Sequence, residues 1–122
     1  MIWTTALRAL VLYDRTMIAE ITDKNLEAFL YDSDKTVIVD FWAPWCGPCK
    51  TMAPEFETFD MAHSQHFAIG KVNVDEYPEI AGVFNVFSIP TILVFDGGEV
   101  VKTLVGARNA EKLAGELTEY MK

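Results

Sequence analysis

The sequence predicts one α/β domain, a single sheet with helices packed on it. Three observations carry that expectation. Apolar runs of strand length alternate with stretches of helical periodicity, the pattern of strands and helices stacked in layers. At 122 residues the chain is long enough for one sizeable core and too short for two ordinary domains. Its hydrophobic residues, 51% of the total, fall in short runs broken by charge, and none approaches the roughly 20 apolar residues a membrane-spanning helix needs.

Strands are predicted near residues 18–21, 37–42, 67–73, 91–95 and 100–105, with helices between them. Residues 23–30 put Leu26, Phe29 and Leu30 on one face behind Thr22 as N-cap. The long helix starts at Cys46 or Gly47 and runs to about His63. Pro54 inside it removes a backbone hydrogen bond and predicts a kink. Its Met52, Phe56 and Phe59 fall at core spacing. Asp96-Gly97-Gly98-Glu99 reads as a hairpin turn. After Asn109, the stripe Ala110, Leu113, Ala114, Leu117 and Met121 predicts a last helix that closes one face of the sheet. In the first 16 residues, Trp3, Leu7, Leu10 and Tyr13 have amphipathic-helix spacing, but Thr4, Thr5 and the lack of caps count against a helix. Met17 begins a complete domain. Residues 1–16 are therefore taken as an extension without assigned role, and residues 17–122 as the domain.

Net charge is −8 and the pI near 4.6, which argues against nucleic acid and anionic lipid, since both need a positive surface. Residues 1–16 carry +1 and residues 17–122 carry −9. The only two cysteines sit in one tight motif, whereas a disulfide-stabilised secreted domain scatters several pairs. That favours a reducing compartment. Residues 1–7 contain no Lys or Arg, and the apolar run after Arg8 ends at Asp14, too short for a signal peptide. The expected location is the cytoplasm.

Trp45-Cys46-Gly47-Pro48-Cys49 directly follows the apolar run 37–42. Two thiols separated by two residues close a small disulfide ring. A Pro just inside a helix start presents the first thiol to the free amides there, so the motif predicts thiol-disulfide exchange. Cys46, Cys49, His63 and His66 also run close to zinc-finger spacing. The His pair is one residue too close, however, and a helix from Cys49 toward His63 carries the imidazoles roughly 20 Å from the thiols. Both histidines are read as solvated residues favoured near the helix's negative end.

The segment from Val39 through Asp40, Trp45, Cys46 and Cys49 to Lys50 resembles the active-site segment of the thioredoxin family. Lys71-Val72-Asn73-Val74-Asp75, Phe87-Ser88-Ile89-Pro90-Thr91, Phe95-Asp96-Gly97-Gly98-Glu99 and Val105-Gly106-Ala107 fall where that family carries similar residues, so the resemblance covers roughly residues 17–122. It implies a thioredoxin fold, a central mixed sheet flanked by helices on both faces. The dithiol then lies where a strand end meets a helix start.

On this resemblance Cys46 is the nucleophile, favoured as thiolate by the helix dipole and nearby amides, and Cys49 is the less exposed resolving cysteine. Asp40 interrupts an apolar strand. Burial there raises its pKa, making it a proton acceptor for Cys49, and Lys71 on a neighbouring strand holds that pKa down. The family's peptide before Pro90 is cis, and Ile89 then pairs with an extended stretch of the target. Trp45, Gly47, Pro48, Ile89, Pro90, Gly106 and Ala107 make up the expected target-binding surface, with Pro44, Val74 and Val105 adding to its apolar rim. Trp42 is expected beneath the site. Ser88 and Phe87 depart from the commonest family residues, Gly and a polar side chain.

The implied activity is general protein-disulfide reduction by a monomer without bound cofactor or metal. Its electrons would come from NADPH through thioredoxin reductase, and its targets would include ribonucleotide reductase, peroxiredoxin and methionine sulfoxide reductase. Gly47-Pro48 argues against a disulfide oxidase or isomerase, which in this superfamily usually carries His before the second cysteine. A redox-independent binding or scaffold subunit is the alternative.

Overall fold

The computed structural model describes residues 17–121. In chain order it contains β1 (Ala19–Glu20), α1 (Leu26–Tyr31), β2 (Thr36–Trp42), α2 (Gly47–His63), β3 (Phe67–Asn73), α3 (Pro78–Val83), β4 (Thr91–Asp96), β5 (Glu99–Val105) and α4 (Ala110–Leu117). A 3-10 turn at Thr118–Tyr120 follows. The proposed amphipathic segment in residues 1–16 lies outside the described residues.

The sheet order is β1-β3-β2-β4-β5. β1 and β2 run parallel to β3, while β4 is antiparallel to β2 and β5 to β4, so the sheet is mixed. β2 is central, and its interior is buried without interruption, as befits a strand covered on both faces. Alternation along it sorts the core. Ile38 faces the layer of Met52, Phe56 and Phe59 from α2 with Leu113 and Leu117 from α4. Val37, Val39 and Phe41 face Leu30 from α1 with Ile80 and Ala81 from α3. Asp40, two residues past Ile38, therefore points to the α2 side.

Several local readings hold. Gly97 (φ 61°) and Gly98 (φ 84°) form a two-residue turn between Asp96 and Glu99, both in the left-handed region such hairpins require. Asn109 caps α4, its Oδ1 accepting the Lys112 N–H at 2.8 Å. α2 continues through Pro54.

Others need correction. α1 starts at Leu26, not at residue 23. Thr22 Oγ1 accepts the Lys24 N–H, while Asn25 accepts the Thr22 N–H and donates to the Glu20 carbonyl. These local bonds hold residues 23–25 in a turn that competes with helix. α4 ends at Leu117 rather than reaching Met121, and the last residues tighten into the 3-10 turn. α3 was not foreseen. Six residues that begin with Pro78 at the first position are too few for a 3.6-residue period to register.

Candidate active site

Cys46 is the N-cap of α2, with extended backbone (φ −82°, ψ 111°) and a sulfur that accepts the Cys49 N–H at 3.2 Å. Pro48 occupies the first turn, where its missing N–H costs nothing. One helical turn brings the two Cα atoms to 5.2 Å, and the cysteines form a disulfide. Both are only 4% exposed. Cys49 is thus not the more buried of the two, as expected from its place in the helix. Cys46, Cys49 and Ala43 share one apolar cluster with Trp42, Val74 and Ile89, which shields both sulfurs.

The Ile89–Pro90 peptide is cis, and the Ile89 carbonyl oxygen lies 3.9 Å from Cys46 Sγ. The Pro90 carbonyl accepts the Gly106 N–H at 2.9 Å, which ties the β5 end to this loop. Gly106 adopts φ 97°, a conformation that disfavours any side chain. Trp45 is 68% exposed beside the disulfide, with Val105 and Ala107 also exposed. A groove of about 270 Å³ runs from Trp45 and Val74 past Ile89 and Ser88 to the exposed Phe87. The structure thus brings Trp45, Ile89, Pro90 and Gly106 around Cys46.

Beneath the disulfide, Asp40, Trp42, Cys49 and Lys71 line a cavity of about 120 Å³ together with Ile18 and Glu57. Burial pushes the Asp40 pKa from 3.8 up to about 7, with Lys71 opposing the rise. Asp40 and Lys71 are register partners on β2 and β3 but make no direct ion pair. Instead the Lys71 ammonium sits 5.4 Å from the Trp42 ring centroid. Asp40 Oδ1 has no hydrogen-bond partner among the described residues.

His63 and His66 are half-buried rather than solvated, packed edge or tilted against Phe59 and Phe67. They sit at and beyond the far end of the 17-residue α2, whose start carries the thiols. Among the described residues no group of three or more His, Cys, Asp or Glu is gathered to hold a metal.

Two residues escaped the sequence reading of roles. Asp75 Oδ1 accepts the Trp45 indole N–H at 3.0 Å and so fixes the exposed ring. No sequence period marks that contact, which bridges 30 residues. Asp60 is fully buried on α2. It was legible as a carboxylate breaking the apolar stripe of Met52, Phe56 and Phe59.

The thioredoxin family model matches residues 17–119. A thioredoxin of Alicyclobacillus acidocaldarius subsp. acidocaldarius is 45% identical over 101 residues, covering 83% of this chain and 95% of that protein. A bifunctional thioredoxin reductase/thioredoxin of Mycobacterium leprae is 42% identical over 102 residues, 84% of this chain and 22% of that protein. Among solved structures, the Malassezia sympodialis thioredoxin superposes with a TM-score of 0.79 at 33% identity, covering 88% of this chain and 93% of that one. With sheet order, dithiol geometry and sequence in agreement over nearly all described residues, this chain belongs to the thioredoxin family.

Proposed function

We propose that the chain is a general protein-disulfide reductase in which Cys46 attacks and Cys49 resolves. The observation that carries this reading is the N-cap position of Cys46. A thiolate there receives the Cys49 N–H and the positive end of α2, and thiolate is the attacking species.

In the reduced protein, Cys46 thiolate attacks one sulfur of a target disulfide. A Cys46–target bond forms, and the target's other sulfur leaves as thiolate and takes a proton. Cys49 then loses its proton and attacks Cys46 Sγ, expelling the second target thiolate and restoring the Cys46–Cys49 disulfide. Two electrons pass to the target. Asp40, opening on the same cavity as Cys49, takes the Cys49 proton; a pKa about 7 suits a base at neutral pH. Lys71 limits how far that pKa rises. Trp45, Gly47, Pro48, Ile89, Pro90, Gly106 and Ala107 receive the target polypeptide, with the Ile89 backbone pairing with it.

The cycle needs a reductant to reopen the disulfide. A thioredoxin reductase fits, since in the Mycobacterium leprae relative the two activities share one chain. NADPH is the ultimate donor in this reading, and ribonucleotide reductase, peroxiredoxin and methionine sulfoxide reductase are the proposed targets. Thioredoxin-family proteins carry no bound cofactor. No helix of the described residues is long and apolar enough to cross a membrane. We place the protein, as a monomer, in the cytoplasm.

The test is reduction of insulin disulfides by the protein with dithiothreitol as electron source. Wild type should accelerate the reaction and Cys46→Ser should not. Cys49→Ser should accumulate a mixed disulfide through Cys46, visible by intact mass. Full activity in Cys46→Ser would overturn the assignment and favour a scaffold.

A further inference from the structure

The buried stripe of α2 is Cys49, Met52, Phe56, Phe59 and Asp60. Its last member is a misfit, a carboxylate with 0% exposure where the spacing calls for an apolar side chain. Asp60 Oδ2 accepts the backbone N–H of Met17 at 2.8 Å. Asp60 Oδ1 is buried and has no partner among the described residues. No cation among them pairs with it. A carboxyl group offers two oxygens to donors, and the one amide present serves only one of them.

The nitrogen that touches it belongs to a methionine. At the start of a chain that nitrogen is an ammonium, with a unit charge and three N–H donors. It can serve both Asp60 oxygens from the place it already occupies. We propose that Asp60 is the seat of a free α-amino group, and that the working form of the protein begins at Met17 by initiation there. The match to the family model starts at the same residue. The next residue, Ile18, packs on the core and lines the cavity shared by Asp40 and Cys49, so the anchored terminus also closes one wall of that cavity.

The Alicyclobacillus relative, 95% of which is matched, has nearly the same extent, and every strand and helix described here lies within residues 17–121. Denaturant unfolding near pH 6.5, where an α-amino group is charged, compares residues 17–122 with a free and with an acetylated Met17. Acetylation keeps one N–H on that nitrogen and removes its charge. The free form should have a folding constant about tenfold or more above the acetylated form, the size of a charged hydrogen bond, and Asp60→Asn should erase the difference. Equal stability of the two forms overturns the proposal and leaves Asp60 as a backbone anchor. So does greater stability of residues 1–122 that is lost in Arg15→Ala, since Arg15 then supplies the cation. The intact mass of the protein from its own cells gives an independent reading. The mass of residues 17–122 is expected, and that of residues 1–122 overturns it.

Discussion

Among the described residues Asp40 and Asp60 are the two buried carboxylates, and each leaves Oδ1 without a partner there. They differ in what they face. Asp40 opens on a cavity beside the disulfide, with a lysine near but not bonded. Asp60 closes on a backbone nitrogen in a packed layer. In the proposed reading the same side chain at similar burial serves proton movement in one place and chain anchoring in the other. The contrast teaches that surroundings, more than burial, assign a carboxylate its work.

The largest effect that sharpens the contrast is chemical. Cys46→Ser should abolish disulfide reduction, while Asp60→Asn should leave the rate unchanged in the insulin assay. A slowed Asp60→Asn would show that the anchored terminus acts on the Asp40 cavity through Ile18.

Asp40→Asn should alter stability most. Asp40's folded pKa, about 7, lies above the ordinary 3.8, so the folded state holds a proton that the unfolded chain releases between those values. Stability therefore falls as pH rises through that window, and above it the loss is about 4 kcal/mol, at about 1.4 kcal/mol per pKa unit. Urea unfolding at pH 8 should show Asp40→Asn more stable by about that amount, with the gap closing toward pH 4. Its exchange rate should drop roughly ten- to a hundredfold and lose the rise with pH around 7. A pH-independent gap would remove Asp40 from the proton path.

Asp60→Asn should act with the opposite sign. In the form beginning at Met17 it should cost about 1–3 kcal/mol by the same unfolding measurement. A gain would break the comparison, because both carboxylates would then be strained. Asn109→Ala, which removes the α4 cap and touches neither carboxylate's hydrogen bonds, should cost about 1 kcal/mol and leave exchange alone. It sets the scale of an ordinary local loss.

Much of the site could be read from the sequence because its signals are contiguous. Cys46 to Cys49 carry the dithiol and the helix start in four residues, and Asp40 stands out as a charge in an apolar strand. The pairing of β2 with β3 that brings Lys71 beside Asp40 was legible only in part from spacing, and the resemblance supplied the rest. Asp75 was invisible, since its bond to Trp45 depends on how two loops meet. α3 is shorter than two helical turns, too short to show a period. The early start given to α1 failed where side chains of Thr22 and Asn25 outcompeted the helix for local backbone groups. The equal exposure of the cysteines arises from the Ile89 loop folding over Cys46, a tertiary contact with no local mark.

The central claim is that the Cys46–Cys49 couple runs as a reductant. Its most direct test is titration of the protein in glutathione redox buffers at pH 7, following the fluorescence of Trp42 and Trp45, which flank the disulfide. With Gly47-Pro48 between the cysteines and no histidine before Cys49 to stabilise the thiolate of the reduced form, the midpoint should lie well below that of glutathione. A midpoint at or above glutathione would make this chain an oxidant or isomerase and contradict the account.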